Sequence, residues 1–378
     1  VLCGIFATAA YLSYNLILAV EVYGQGNGGL HPHASLQDAK MLQISASDTL
    51  HLDHHVHHVH HIQKSAELKV DPKSPPPPSP PPPSSPPPSP PPHPSPAQEA
   101  SGTDGGSGNK PTIHTLCTSN GSPYLNWQTR MMYYTYKKVA AMPGAEHMKY
   151  FTRLLHRRAD DDLMYEVPTV RVDSLHPSCD TWCEFPVADR PNALRKWLET
   201  DDSKLGDWIL MIETDYVWRQ PVPVPPPGQT YAVCFEFGYI NPAHPHVSDV
   251  MKALYDGSPE DIPRTGPAPT MIRRDDLYIM AGCSDPTKLS KYEEITEEIE
   301  MNKEYKNKLG WVREMYAYSL AAAVLGIKHE CKQGPTNILM AQPPADHVLG
   351  QSAFYHYTWG ARFMNSKGNV DWEWDKRG

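Results

Sequence analysis

The residues with the clearest chemical potential are two carboxylates separated by one residue, Glu213 and Asp215. They directly follow an apolar run, residues 208–212, which is typical of a buried strand in a covered, mostly parallel sheet. In open α/β sheets, ligands bind just outside the carboxyl ends of the strands. Two acids there can hold a hard divalent cation, which can in turn hold a diphosphate. The alternative interpretation is a strand-end turn with solvated acids.

Three further side chains are candidates for function. His356 lies among aromatic residues, where a histidine is either a ligand or a hydrogen-bonded core residue. Arg190 precedes a predicted helix, and both a guanidinium and a helix N-terminus favour an oxyanion or a diphosphate. Glu314 opens an apolar helix, where a carboxylate often only complements the helix dipole. Taken singly, each of these residues has an ordinary structural explanation.

From residue 111 onward, the sequence predicts the strands and helices that must position these groups. Apolar patterning predicts strands over residues 112–118, 150–156, 208–212 and 231–237, and helices over 125–139, 192–200, 288–308 and 311–325. Gly326 stands where a glycine commonly ends the last of these helices. Strands that alternate with helices predict one α/β domain, residues 111–378, with a mostly parallel sheet.

Composition narrows the class of protein. The net charge of −9 gives no support for a nucleic-acid partner. The 40 prolines are about twice the usual share, which favours one folded domain with a long appendage. Seven cysteines include Cys179 and Cys183 without a second pair at zinc-finger spacing, so no structural zinc is predicted. In an oxidising compartment, Cys179 with Cys183 or Cys234 with Cys283 could form disulfides.

Residues 24–110 have no pattern that could build a core, and an apolar segment precedes them. Residues 1–23 contain an apolar run of membrane-spanning length, so we expect an uncleaved signal anchor; a cleaved signal peptide is the alternative. Residues 24–110 are predicted to form a stem rich in histidine and proline. Seven histidines within residues 51–61 could bind zinc, copper or nickel, or could simply be solvated. The Ser/Pro run at 74–96 predicts a stiff polyproline II spacer about 70 Å long.

Short sequence words in a fixed order carry a resemblance to a known family. They are His114-Thr115, Trp127-Gln128 with Tyr133-Tyr134, Phe151 to His156, Arg190-Pro191 with Trp197-Leu198, Ile209-Leu210-Met211 before Glu213-x-Asp215, Gly310-Trp311-Val312-x-Glu314-Met315-Tyr316, Asn337-Ile338-Leu339, Gln342-Pro343-Pro344, His356-Tyr357-Thr358-x-Gly360 and Asp375-Lys376-Arg377. With these words the chain resembles the plant and green-algal hydroxyproline O-arabinosyltransferases. The peptidyl serine α-galactosyltransferases share the block around Glu314, but they have Asp-x-Asp at the acidic pair and lack the His-Tyr-Thr-x-Gly word.

The resemblance implies a glycosyltransferase with a GT-A-like α/β domain that binds a nucleotide sugar. It implies UDP-L-arabinofuranose as donor, a divalent cation such as Mn²⁺, and retention of configuration. The implied acceptor is the hydroxyl of a peptidyl hydroxyproline in extensin-like, proline-rich polypeptides. The implied location is the Golgi membrane, or the cis-Golgi or ER, with a single-pass type II topology and a lumenal catalytic domain.

The resemblance also implies roles for individual residues. Asp215 is expected to bind the metal, Glu213 the metal or the ribose, and His356 to supply the remaining protein ligand. Arg190 is expected to contact the diphosphate or donor sugar, and Thr115, placed at the end of the first strand, the uridine.

On the acceptor side, Glu314 is expected to polarise the acceptor or to flank the oxocarbenium face. Aromatic side chains are expected to hold the polyproline II acceptor, with Tyr133, Tyr134, Trp127 and Trp359 as candidates.

The chain departs from the family pattern near the expected donor pocket. Thr214 replaces a usual proline, Tyr216 a usual histidine and Asn192 a frequent tryptophan. Two alternative functions therefore stay open: a peptidyl serine galactosyltransferase, and a hydroxyproline-rich, wall-associated structural protein with an inactive head. The stem at 74–96 is expected either to be hydroxylated and arabinosylated itself or to be a passive spacer. The sequon at 120–122 lies beside the expected nucleotide pocket, so we expect it to be unused.

Overall fold

The computed structural model describes residues 111–282, 285, 287–343, 346, 348–358 and 361–376. The predicted membrane anchor, the histidine tract and the proline-rich stem lie outside the described residues, as do Cys283 and Trp359. Among the helices of the described part, none has both the length and the apolar character needed to cross a membrane.

A seven-stranded sheet forms the centre of the described part. Its strands are β1 (Ile113–Ser119), β2 (Tyr150–His156), β3 (Thr169–Val172), β4 (Trp208–Ile212), β6 (Ala232–Phe235), β7 (Thr270–Arg273) and β8 (His329–Lys332), in the order β3-β2-β1-β4-β7-β6-β8. Strand β7 is antiparallel to both its neighbours, and the other neighbouring pairs are parallel. The predicted α/β fold with a mostly parallel sheet is confirmed. The four strands predicted from patterning all form, whereas the short or polar strands β3, β7 and β8 were not predicted.

Seven α-helices accompany the sheet in the described part. They are α1 (Pro123–Ala140), α2 (Arg190–Leu198), α3 (Ser248–Leu254), α4 (Arg274–Ala281), α5 (Lys291–Met301), α6 (Lys303–Leu309) and α7 (Arg313–Val324). The predicted long helix over 288–308 is wrong in one respect, because it is divided at Asn302. The Asn302 side chain accepts hydrogen bonds from the backbone N–H groups of Glu304 and Tyr305 and thereby begins α6.

Strand β4 leads directly to Glu213 and Asp215 and is buried along its whole length. All five of its residues are buried, in agreement with its unbroken apolar sequence. Its neighbour β1 runs parallel to it, with Cys117 opposite Ile212. The chain therefore leaves both strands at the same edge of the sheet.

A second, smaller sheet brings a distant segment to that edge. Strand β5 (Tyr216–Trp218) pairs with β10 (Phe354–His356), which also pairs with β9 (Met340–Ala341). In the antiparallel pair, His356 lies opposite Tyr216. The hairpin of β11 (Ala361–Met364) and β12 (Val370–Trp374) then leads the chain to Lys376.

The disulfides agree with one prediction and correct the other. Cys179 and Cys183 are bonded, as predicted. Cys234 is bonded to Cys331 and not to Cys283. The reason is register: β6 and β8 are parallel neighbours in which Cys234 lies directly opposite Cys331. That proximity arises from sheet pairing across 97 positions and has no local sequence signal.

Acid sensitivity of folding is expected from His156, which ends β2 with 5% of its surface exposed. Burial, together with the nearby Arg190 guanidinium, lowers the pKa of His156 to about 4. The unfolded chain therefore takes up a proton there as pH falls below about 6.5, whereas the folded chain resists it until about pH 4. We expect this residue alone to cost about 2 kcal/mol of unfolding free energy at pH 5.

Urea unfolding of the wild type and of His156→Gln at pH 7.5 and pH 5 measures this contribution. The loss on acidification should be smaller in His156→Gln by about that amount, while the same substitution at the exposed His246 should leave it unchanged. An identical acid dependence in the wild type and His156→Gln would contradict the prediction.

Candidate active site

The carboxyl edge of β1 and β4 gathers residues that are far apart in sequence. Thr118 lies next to the end of β1, and Glu213 directly follows β4. Arg190 begins helix α2 and reaches both of them. Its Nε donates to the Thr118 hydroxyl over 3.0 Å, and its Nη2 donates to the Glu213 carboxylate over 2.6 Å. This is the edge at which parallel α/β sheets bind their ligands.

Arg190 also reaches a second carboxylate from helix α7. Its Nη1 donates to both oxygens of Glu314, over 3.1 and 3.2 Å. The Tyr292 hydroxyl donates to the same carboxylate from helix α5. The Arg190 side chain is only 8% exposed and the Glu314 side chain 4%. One buried guanidinium thus joins strand β1, the end of β4 and helix α7.

This arrangement changes the roles expected for two residues. All three guanidinium nitrogens of Arg190 donate to protein oxygens, so Arg190 holds protein carboxylates in place in this structure. Both Glu314 oxygens accept from Arg190, and burial raises the pKa of Glu314. Glu314 therefore binds the buried Arg190 guanidinium and does not face an open acceptor surface. Glu213 differs, because 31% of its side chain stays exposed at the edge.

Asp215 forms the centre of a second cluster, with His356 and Lys376. Its Oδ2 accepts from His356 Nε2 at 3.0 Å and from Lys376 Nζ at 2.6 Å. The β5–β10 pairing explains the first contact, since it places His356 opposite the residue that follows Asp215. Burial alone would raise the pKa of Asp215, but His356 and Lys376 outweigh it and hold that pKa well below its ordinary value. The carboxylate is thus ionised at neutral pH.

The other nitrogen of the His356 ring is also held. Nδ1 lies 2.9 Å from the Thr358 hydroxyl and 3.0 Å from the Gln342 side-chain nitrogen. If Nδ1–H donates to Thr358, the Nε2 lone pair is available to a cation; if Gln342 donates to Nδ1, Nε2–H donates to Asp215. Outer partners of this kind orient a metal-ligating histidine.

The predicted metal ligands are only partly brought together. Within the described ranges, no three His, Cys, Asp or Glu side chains are grouped so that they could hold a metal ion. Asp215 and His356 converge, whereas Glu213 is bonded to Arg190 instead. One carboxylate oxygen and one imidazole nitrogen are donor types that a Mn²⁺ ion accepts, so the pair fits a cation that also binds a diphosphate. The metal site stays a prediction.

The predicted position of Thr115 is wrong. Thr115 is the third residue of β1, completely buried, and lies between Phe151 of β2 and Leu210 of β4. The strand continues past it to Ser119, so its end lies too far along the chain for Thr115 to contact a uridine. The strand predicted over residues 112–118 agrees with β1 to within one residue at each end, and Thr115 lies inside both ranges. No role was predicted for Thr118, which accepts the Arg190 hydrogen bond near the end of β1.

The residues that depart from the family pattern all point into the interior. The Thr214 hydroxyl donates to Gln128 of helix α1 over 2.9 Å. Tyr216 is completely buried, and its ring meets the His356 ring edge-on with centroids 5.1 Å apart. The amide of Asn192 donates to a carboxylate of helix α5 over 2.8 Å. These three residues are buried beneath the site and do not lie in the exposed part of the edge.

An aromatic cluster centred on Tyr357 lies beside Lys376 and includes members that sequence reasoning missed. The Trp127 and Tyr357 rings stack with centroids 6.3 Å apart, and the Trp374 ring meets Tyr357 edge-on at 5.8 Å. Lys376 Nζ lies 5.8 Å from the centroid of the Tyr357 ring. Lys376 belongs to a word that carried the resemblance, but no role was predicted for it. Its position, 161 residues from Asp215, had no local signal.

Two of the aromatic residues predicted for acceptor binding lie away from Lys376. Tyr133 packs on Phe151 with centroids 4.7 Å apart, and Tyr134 is 50% exposed on helix α1.

A family model matches the part of the chain that contains most of these residues. Residues 113–331 match the model described as the hydroxyproline O-arabinosyltransferase family N-terminal domain. The chain belongs to this family. It is accordingly a glycosyltransferase, as the resemblance implied, and the matched residues hold Arg190, Glu213, Asp215 and Glu314.

Individual relatives support the assignment. Hydroxyproline O-arabinosyltransferase PLENTY of Lotus japonicus is 34% identical over 282 residues, which cover 72% of this chain and 73% of the relative. The peptidyl serine alpha-galactosyltransferase of Arabidopsis thaliana is 28% identical over 235 residues, which cover 58% of this chain and 27% of that protein.

Among solved structures, a glycosyltransferase involved in the glycosylation of the major capsid of PBCV-1 aligns with 66% of this chain and 93% of its own, at 12% identity and a TM-score of 0.34. A TM-score this low supports no inference.

Proposed function

We propose that this family member transfers L-arabinofuranose from a UDP-sugar to the hydroxyl of peptidyl hydroxyproline in extensin-like, proline-rich polypeptides. The proposal includes dependence on a divalent cation, such as Mn²⁺, and retention of configuration at the transferred sugar. The observation that carries it is the ionised Asp215, held by His356 and Lys376 at the carboxyl edge of the sheet beside Glu213. The name of the relative PLENTY supports the acceptor and the sugar.

The charges at this edge suit the proposed bond cleavage. Breaking a sugar–diphosphate bond develops negative charge on the leaving diphosphate and positive charge on the sugar. Preorganised charges that face such centres are among the largest contributions to enzymatic rate enhancement. Lys376 would stabilise the diphosphate, and Asp215 with His356 would hold the cation. When bound, that cation would act as a Lewis acid toward the leaving group.

Glu213 completes the proposed donor site. It is the partly exposed member of the Arg190 network, with its other side fixed by the guanidinium. A carboxylate at this position suits a ribose hydroxyl or the developing positive charge of the sugar. We assign the retention of configuration to the family resemblance alone, since no side chain is singled out for a covalent intermediate.

The compartment belongs to the same proposal. We propose a catalytic domain in the lumen of the Golgi, cis-Golgi or ER, with the chain held in the membrane by a single type II span. Two disulfides in the described residues support an oxidising lumen, because disulfides are rare in cytosolic proteins.

One assay tests donor, acceptor and metal together. The full chain is incubated with UDP-L-arabinofuranose or UDP-galactose, and with a Ser-hydroxyproline peptide or its unhydroxylated proline counterpart. We expect transfer only from the arabinose donor to the hydroxylated peptide, abolished by a chelator and restored by Mn²⁺. Galactose on serine would instead support the alternative that the peptidyl serine galactosyltransferase relative suggests. Arabinosyl transfer at an unchanged rate in the presence of the chelator would contradict the proposed dependence on a divalent cation.

A further inference from the structure

Two tryptophans are conspicuous outside the proposed donor site. Trp182 is 76% exposed and Trp311 is 70% exposed. Isolated exposed apolar residues are ordinary on protein surfaces, so exposure alone carries no meaning. Here, however, the backbone holds both indoles outward, and both belong to segments that lead directly to the Arg190 network.

The backbone around each tryptophan is constrained. Trp182 lies inside the small loop that the Cys179–Cys183 disulfide closes. Trp311 follows Gly310, whose φ of +59° favours glycine, and lies in a 3₁₀ turn, Gly310–Val312. The Trp311 ring meets the buried Phe185 ring edge-on, with centroids 5.4 Å apart. The rest of this indole is left open to solvent.

Sequence position connects this surface to the active site. The segment with Trp182 and Phe185 continues into Arg190, and Trp311 lies three residues before Glu314. Arg190 and Glu314 are bonded to each other. The Phe185–Trp311 ring contact joins the same two segments a second time, at the surface. The two segments that carry the exposed indoles are therefore joined both by this ring contact and by the Arg190–Glu314 ion pair.

Two charged side chains near the indoles are paired within the protein, whereas Glu184, in the same segment as Trp182, is exposed. Asp180, inside the disulfide loop, accepts from Arg158 over 3.1 Å. Arg313, whose guanidinium lies 3.4 Å from the Phe185 ring centroid, is bonded to Glu300. What these segments offer a partner is aromatic surface and indole N–H groups. A partner recognised by aromatic stacking and by hydrogen bonds to its backbone carbonyls fits this surface.

We propose that Trp182 and Trp311 form the docking surface for the acceptor polypeptide in its polyproline II conformation. A polyproline II segment presents flat prolyl rings and unpaired carbonyls in a preformed helix, and aromatic-lined grooves are the usual way in which proteins hold it. This inference rests on the proposed function for the identity of the acceptor. It replaces Tyr133 and Tyr134 as the acceptor-binding aromatics, because Tyr133 packs against Phe151.

The test compares peptide and donor parameters in Trp182→Ala, Trp311→Ala and the double variant. Truncating a tryptophan at the centre of an interface costs upward of 1.4 kcal/mol, so we expect the KM for a hydroxyproline-rich peptide to rise about 10-fold per substitution and about 50-fold or more in the double variant. The KM for the UDP-sugar should change less than about 2-fold. Trp311→Phe, which keeps an aromatic ring, should recover most of the peptide affinity.

Two tyrosines that are exposed elsewhere serve as matched controls. Tyr134→Ala and Tyr165→Ala remove side chains that are 50% and 81% exposed and should leave the peptide KM unchanged. An unchanged peptide KM in the double tryptophan variant would overturn the inference. A peptide KM that rises as much in Tyr134→Ala as in the tryptophan variants would overturn it too.

Direct binding of a fluorescent, unhydroxylated polyproline peptide separates this inference from the proposed function. Binding lost in the double variant supports the docking surface even if the wild type fails to transfer arabinose. Full arabinosyl transfer by a double variant with unaltered peptide binding would overturn the docking surface and leave the proposed function standing.

Discussion

Asp215→Asn is expected to lower the turnover number by about 100- to 1,000-fold, the range for loss of one preorganised electrostatic group. The substitution keeps the size of the side chain and removes the negative charge that faces His356 and Lys376. Without that charge, neither a cation nor the Lys376 ammonium is held in position. The loss should appear in initial rates of arabinosyl transfer at saturating donor and peptide.

Asp201→Asn provides the matched control for this experiment. The Asp201 side chain is 97% exposed and pairs with the surface residue Lys204, so its substitution should leave turnover unchanged. A binding measurement adds a second readout: Mn²⁺ binding, followed by electron paramagnetic resonance without donor, should weaken in Asp215→Asn. An Asp215→Asn enzyme within about 3-fold of wild-type turnover would place the catalytic site elsewhere in the chain.

Arg190→Met is expected to lower the free energy of unfolding by about 3–5 kcal/mol, the usual cost of removing one partner from a buried ion pair. The substitution leaves the Glu314 carboxylate, which is 4% exposed, without its guanidinium partner. It also removes the guanidinium that binds Glu213. Urea unfolding at pH 7.5 measures the change. Arg190→Lys should recover only part of the stability, because an ammonium lacks the planar fork that reaches Thr118, Glu213 and Glu314 together.

A surface ion pair provides the comparison for Arg190. Arg130 pairs with Glu166 at 2.6 Å, but the two side chains are 41% and 47% exposed, so Arg130→Met should cost less than about 1 kcal/mol. The second variant Glu314→Gln, added to Arg190→Met, should recover part of the lost stability, because it removes the uncompensated buried charge. Equal costs for Arg190→Met and Arg130→Met would show that the network contributes little.

Local patterning was sufficient for the strands and helices that hold the acidic pair. The apolar run Trp208–Ile212 forms a buried strand, and Glu213 and Asp215 follow it at the ligand-binding edge. Patterning failed where the chain is polar or short. Strand β1 ends at Ser119, one residue beyond its predicted end, and Thr115 is buried in its interior, so the predicted place of Thr115 at the strand end was wrong. Propensity reports what a segment prefers alone, and pairing with two neighbouring strands overrides it.

The partners of the site residues needed long-range contacts. Arg190 was expected to face a diphosphate, yet its donors are occupied by Thr118, Glu213 and Glu314. Lys376 had no predicted role and lies 2.6 Å from Asp215. Likewise, Cys234 pairs with Cys331 through sheet register. None of these pairings leaves a periodic or compositional trace in either segment.

By itself, the sequence determined the family, the α/β class and the acidic pair at the end of a buried strand, because these depend on short words and local periodicity. The tertiary structure alone decided which of the expected site residues meet. Asp215 and His356 meet because β5 and β10 pair antiparallel across 141 positions, whereas Glu213 is drawn to Arg190 by a buried opposite charge. Asp215 faces His356 and Lys376, whereas Glu213 faces a guanidinium, and this difference is a matter of three-dimensional packing and charge pairing.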